Sequence, residues 1–188
     1  MTMTQDELRL IFQVLHFAAD KHRHQRRKDL HASPYINHPI AVAETLSAIG
    51  GVQDMVTLAA GILHDTIEDT ETTAAELEGL FGKEISTVVE EVTDDKTLSA
   101  AERKQLQIDH AHRKSDRARL VKLADKICNV RDIIEHPPAG WSVERKRIYV
   151  AWAKAVIDRA RGTNAAMENY FDALCARANA HLAAIETE

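Results

Sequence analysis

The sequence predicts an all-α protein, a single-domain helical bundle spanning residues 1–188. Three observations carry that expectation. Apolar residues recur at three- and four-residue steps in nearly every segment, and no stretch alternates as a half-buried strand would. Only seven glycines and four prolines punctuate the chain, alanine is plentiful and aromatics are scarce, a balance that favours helix. A chain of 188 residues with 45% hydrophobic side chains is long enough to bury one real core.

Taken in order, Leu8, Ile11, Val14, Leu15 and Ala18 form the apolar stripe of a first helix. A basic stretch from Lys21 to Asp29 and a loop to Tyr35 follow. Pro39 suits the first turn of a second helix, which runs through Val42 and Leu46 and stops at Gly50-Gly51. The apolar run 55–63 suits a buried third helix that carries His64-Asp65-Thr66-Ile67-Glu68-Asp69 at its end. Thr73 with Glu76, and Ser99 with Glu102, have the spacing of capping boxes that open two more helices, the first ending near Gly82. Between them, Glu84 to Val92 reads as helix and Thr93 to Lys96 as loop. Leu120, Leu123, Ile127, Val130 and Ile134 make a strong stripe, ended by His136-Pro137-Pro138. Ser142 caps a long helix reaching Gly162. Asn164 begins the last helix, with Met167, Tyr170, Phe171 and Leu174 facing inward.

Composition narrows the function. A formal net charge of −5 argues against general nucleic-acid binding, which leaves a basic footprint, but allows a local cationic pocket, made by Arg27 and Lys28, for a small phosphorylated ligand. Cys128 and Cys175 have neither zinc spacing nor a disulfide framework and read as buried packing residues. No signal peptide and no long apolar span is visible, so a cytoplasmic protein without a membrane partner is expected.

The chemistry concentrates around His64. On a helix, Glu68 lies four residues after His64 and Asp69 four after Asp65, so one edge gathers an imidazole and three carboxylates. Like charges so close disfavour one another, and a divalent cation is their natural counterion. His38, at a helix start, and Asp125, on the buried side of its helix, are the other candidate ligands. Two His and two Asp make a mixed nitrogen and oxygen shell suited to Mn²⁺, Fe²⁺ or Zn²⁺. Glu68 and Asp69 then remain to position or deprotonate a water, or else form a solvated helix end. Asp125 alternatively pairs with Lys122 or Lys126. Arg23, Arg26, Arg27 and Lys28, with His22 and His24 beside them, form a basic run that binds phosphate and stacks on a base, or simply solvates a helix end. Lys96, beside two aspartates, carries the same two readings.

These residues together resemble the hydrolase domain of the RelA/SpoT alarmone family, within the HD-domain phosphohydrolases. The matching stretches are residues 25–29, Pro34-Tyr35-Ile36-Asn37-His38-Pro39, Leu63 to Thr70 and Val121 to Lys126. Residues 91–97 point to the small, single-domain branch of the metazoan SpoT-homologue type, and the likeness runs from about residue 10 to about residue 172. The resemblance implies an all-helical hydrolase that uses one Mn²⁺ to remove the 3′-diphosphate of guanosine tetra- or pentaphosphate, giving GDP or GTP and pyrophosphate. It implies His38, His64, Asp65 and Asp125 as metal ligands and Glu68 and Asp69 as the pair that activates water. Arg27 and Lys28 match residues beside the base and phosphates, Asn129 a ribose contact, and Lys96 and Tyr149 further pocket residues. Adenosine alarmones and the 2′-phosphate of NADPH are the alternative substrates, and a nucleotide-sensing module without turnover is the alternative class. Synthesis of alarmone is not expected. The loop Leu30-His31-Ala32-Ser33 lacks the glycine usual before the Pro-Tyr pair, and Cys128 stands where the family often has an aromatic or His.

Overall fold

Short polar side chains set most of the helix starts in the computed structural model, which describes residues 3–185. Thr4 accepts from the Glu7 amide and Glu7 answers at the Thr4 amide, opening α1 (Gln5–Lys21) with a full capping box. Ser99 and Glu102 do the same for α7 (Ala100–His110). Thr73 accepts from the Glu76 amide at the start of α5 (Ala74–Phe81), but the Glu76 carboxylate turns to Lys21 instead, so that box is half made. Asp54, Ser115 and Ser142 cap α3 (Met55–Leu63), α8 (Asp116–Glu135) and α9 (Val143–Asp158). Asn164 accepts from the Met167 amide where α10 (Ala165–Ile185) begins. The remaining helices are α2 (Asn37–Ala48), the single turn α4 (Thr66–Asp69) and α6 (Lys83–Val92). A 3₁₀ turn at Ala111–Arg113 joins α7 to α8. Among the described residues no strand forms, and only Arg26 and Pro34 make an isolated bridge. The all-α expectation holds.

The twenty-residue α8 is the central element. It packs against α2, α3, α6, α9 and α10. Leu123, Ile127 and Val130 are buried as their stripe required, and Met167, Phe171 and Leu174 meet them from α10. Cys128 and Cys175 are both buried and free. The α2 and α3 pair approaches closely at Gly61, where an added β-carbon would stand 2.7 Å from Leu46 Cδ1. That approach brings the first turn of α2 level with the end of α3.

Three expectations are corrected. The acidic cluster is not one continuous helix: α3 ends at Leu63 and the chain turns at His64 and Asp65 before α4. Side chains take over from the backbone ladder there, His64 Nδ1 donating to the Gly61 carbonyl at 2.8 Å and Thr66 Oγ1 to the Leu63 carbonyl at 2.7 Å. The α9 helix stops at Asp158 rather than at Gly162, because Glu168 draws the chain away by accepting from the amides of Gly162, Thr163 and Asn164. His22 does not belong to an exposed basic run. It is 1% exposed, packed against Tyr35 and bonded to Gln25.

The loop before Tyr35 shows what the missing glycine costs. Ala32 holds φ at +48°, the left-handed region. A β-carbon makes that conformation about 1–2 kcal/mol less favourable than the right-handed one. Ala32→Gly relieves the strain, offset in part by the greater freedom of glycine in the unfolded chain. The expected result is a melting temperature raised by roughly 1–3 °C, read by circular dichroism. A lowered value would mean that the loop holds no such strain.

Candidate metal centre and active site

Three elements deliver four side chains to one buried point. The first turn of α2 carries His38, the turn between α3 and α4 carries His64 and Asp65, and the middle of α8 carries Asp125. Ligand atoms of His38, His64 and Asp65 all lie within 4.8 Å of one another, a candidate site for a divalent cation. Asp65 Oδ2 stands 3.0 Å from His64 Nε2 and 3.9 Å from His38 Nε2. Asp125 Oδ1 stands 3.2 Å from His38 Nε2 and 3.9 Å from His64 Nε2.

Hydrogen bonding selects the atoms that face inward. Because His64 Nδ1 donates to Gly61, its Nε2 is left as the free ring nitrogen, buried and without a hydrogen-bond partner. A nitrogen lone pair pointed at carboxylate oxygens is repulsive unless a cation lies between them. Without a metal, a proton fills that role. Burial opposes the charge on His64, but Asp65 and Asp125 outweigh it and raise the ring to about 9. Burial also pushes His38 down, with only partial opposition from Asp125. Burial works against ionising Asp65, yet His64 and His38 hold it well below the usual carboxylate range. The same holds for Asp125, where Lys126 and His38 prevail. This donor set therefore fits a divalent metal bound through nitrogen and oxygen.

Lys126 resolves the ambiguity about Asp125. Its ammonium lies 3.0 Å from Asp125 Oδ2 and 4.4 Å from the centroid of the Trp152 ring. Asp125 thus pairs with Lys126 through one oxygen and faces the histidines with the other. The two readings of that carboxylate coexist. Asn129, one turn later, donates to Asp125 Oδ1.

Glu68 and Asp69 stand on α4 beside this point. Burial and then the charge of Asp94 push the Glu68 carboxyl up, and the Asp94 amide donates to it at 3.1 Å. Asp69 receives Lys96, whose side chain is half exposed, and Tyr35 Oη approaches it at 3.4 Å. Tyr35 also donates to Asp65 Oδ2 at 2.6 Å. Burial and the Asp65 charge keep that phenol protonated by raising it far above its ordinary value.

A cavity of about 300 Å³ opens next to these groups. Arg27, Lys28, Asn129 and Tyr149 line it, together with Tyr35, Asp69, Asp132 and Trp141. Lys96 is not among its walls. Arg27 donates to Asp132 at 2.6 Å and sits 5.6 Å from the Tyr35 ring centroid. The wall is not cationic overall. Arg26, Arg27 and Lys28 are matched by Asp29, Asp69 and Asp132. Arg23 pairs with Asp20, and Arg26, though at the cavity wall, donates to the carbonyls of Arg23 and Gln25. Tyr35, Asp132 and Trp141 were not assigned roles from sequence. For Asp132 a signal existed: Asp125, Asn129 and Asp132 fall at i, i+4 and i+7 on α8 and so share one face.

Comparison with known proteins agrees with this geometry. The HD domain family matches residues 15–155. A Xenopus tropicalis protein named guanosine-3′,5′-bis(diphosphate) 3′-pyrophosphohydrolase MESH1 is 52% identical over 163 residues, which cover 87% of this chain and 91% of that one. The Homo sapiens protein of the same name is 51% identical over 158 residues, 84% of this chain and 88% of the relative. A solved structure described as a metazoan ortholog of SpoT that hydrolyzes ppGpp superposes with a TM-score of 0.89 at 44% identity, covering 94% of this chain and 98% of the other. Paired imidazoles and carboxylates at the meeting of α2, α3 and α8, a matching HD domain and half-identical relatives lead to one conclusion: the chain belongs to the HD-domain family, among the RelA/SpoT-type hydrolases.

Proposed function

We propose that this protein is a metal-dependent hydrolase that removes the 3′-diphosphate of guanosine tetra- or pentaphosphate and releases pyrophosphate. The observation that carries this reading is the buried cluster of His38, His64, Asp65 and Asp125, set beside Glu68 and Asp69 at the edge of a nucleotide-sized cavity. The named relatives at about half identity support the same substrate.

His38, His64, Asp65 and Asp125 would hold one divalent ion, with Mn²⁺ our assignment for this nitrogen and oxygen shell. When bound, such an ion lowers the pKa of water and polarises a phosphoryl oxygen. Glu68, with its raised carboxyl, takes the proton from the attacking water as the bond between the ribose 3′-oxygen and phosphorus breaks. The water oxygen bonds that phosphorus, the proton held by Glu68 passes to the 3′-oxygen, and GDP or GTP with a free 3′-hydroxyl is released with pyrophosphate. Asp69 is held by Lys96 and Tyr35 and orients that water. Arg27 offers a planar guanidinium to the purine, seated by Asp132. Lys28, exposed at the rim, attracts phosphate. Asn129 and Tyr149 line the ribose and base region.

Pyrophosphate release from ppGpp, pppApp and NADPH, assayed in parallel with Mn²⁺, tests the proposal. The guanosine alarmone is expected to turn over fastest, and absence of turnover on all three would sink the enzymatic reading. For the metal, thermal melts with and without Mn²⁺ are informative. The parent should gain about 2.7 kcal/mol at a hundredfold excess over the dissociation constant. His64→Ala and Asp125→Ala should both lose that gain. Both should also melt lower in metal-free buffer, because Asp125→Ala leaves Lys126 as a buried unpaired charge and His64→Ala takes the imidazole from Asp65 and from the Gly61 carbonyl. Full Mn²⁺ occupancy in either variant contradicts the ligand set.

Two further outcomes separate chemistry from binding. Glu68→Gln should keep fold and metal yet lose about 10²–10⁴-fold in kcat. An unchanged rate would reduce Glu68 to a structural carboxylate. Arg27→Ala should raise KM roughly fivefold, for a stacking contact of about 1 kcal/mol, while changing kcat less. The reverse split would place Arg27 on the reacting phosphate instead of the base.

A further inference from the structure

Tyr35 joins more of the site than any other side chain outside the proposed ligand set. Its hydroxyl donates to Asp65 Oδ2 at 2.6 Å, the same oxygen that stands 3.0 Å from His64 Nε2. Asp69 Oδ2 lies 3.4 Å from that hydroxyl. A phenol has one proton, so it bonds Asp65 firmly and only approaches Asp69. At its other end, the Tyr35 carbonyl accepts the backbone amide of His38 at 3.0 Å. One residue therefore touches two proposed ligands from two different elements. Its own placement is fixed. The Tyr35 amide donates to the Gln25 carbonyl at 3.2 Å, and the His22 ring packs on its ring with centroids 4.9 Å apart. His22 is tied to the Gln25 side chain, whose Nε2 donates to the Asp69 carbonyl at 2.6 Å.

We infer that Tyr35 is a positioning residue that locks the Asp65 carboxylate in its metal-facing orientation and sets Asp69 relative to it. This rests on the metal reading above. A carboxylate whose metal-facing oxygen is already anchored by a neutral donor has fewer rotamers to lose when it binds a cation. Outer partners of this kind typically change metal affinity or activity by about 10–100-fold.

Tyr35→Phe removes the hydroxyl and keeps the ring that packs against His22 and Arg27. Calorimetric titration of the metal-free protein with Mn²⁺ is expected to show a dissociation constant weakened about 10–100-fold, with His64→Ala as the non-binding control. At saturating Mn²⁺, kcat should stay below the parent while KM for the nucleotide changes less than about twofold, since uniform binding is not what was removed. A merely structural role would lower the metal-free melting temperature and leave the Mn²⁺ constant unchanged, and that result overturns the inference. A parent that takes up no Mn²⁺ overturns the metal assignment and this inference with it. A parent that binds Mn²⁺ but cleaves no alarmone leaves the inference standing on the titration alone and refutes the substrate instead.

Discussion

Two aspartates that stay ionised inside the bundle are the constraint around which the rest is arranged. Asp65 comes from the α3–α4 turn and Asp125 from the middle of α8, and an uncompensated buried carboxylate is expensive. Each is met by positive charge or by a donor. His64 and His38 face both, Lys126 takes the outer oxygen of Asp125, and Tyr35 takes the inner oxygen of Asp65. Neutralisation thus requires α2, the α3–α4 turn and α8 to meet at one place. The apolar stripes of those helices supply the driving force for packing, and the charges fix where along each helix the packing stops.

The surroundings divide into two kinds of carboxylate. Asp65 and Asp125 sit beside cations and are held ionised, as ligands must be. Glu68 sits half-buried beside Asp94, and burial with that charge raises its carboxyl. Environments that push neighbouring acids in opposite directions are what separate a ligand from a proton carrier. The cavity adds little net charge of its own, since its three Arg and Lys residues are balanced by three aspartates. Recognition of a nucleotide there depends on planar groups and hydrogen bonds more than on bulk attraction. Arg27 illustrates this, because Asp132 takes up much of its charge and leaves its face.

Much of this was legible in the sequence, for physical reasons. The 3.6-residue stripes marked α1, α8 and α10, Pro39 marked α2, and Thr73, Ser99 and Ser142 marked the starts of α5, α7 and α9, all local signals. Motif spacing selected His38, His64, Asp65 and Asp125, which the fold brings within reach of one another. What escaped was non-local. The break after Leu63 arises from side-chain bonds at His64 and Thr66 that no propensity encodes. The 23–28 run leaves no net positive wall, because Asp29, Asp69 and Asp132 stand with Arg26, Arg27 and Lys28 at the cavity and Arg23 turns to Asp20. Tyr35 lay inside a recognised motif, but its hydroxyl acquires meaning only once residue 65 is folded against it.

Gly61 ties this chemistry to heredity. Its backbone carbonyl anchors His64, and its missing β-carbon lets α3 settle against Leu46. A methyl group there would stand 2.7 Å from Leu46 Cδ1, the far end of a fully buried side chain, so that leucine would have to turn before α3 could keep its place. Positions 46 and 61 are consequently not free to drift independently. An alanine at 61 therefore calls for a new rotamer or a smaller residue at 46, which links two positions that line neither the metal cluster nor the cavity.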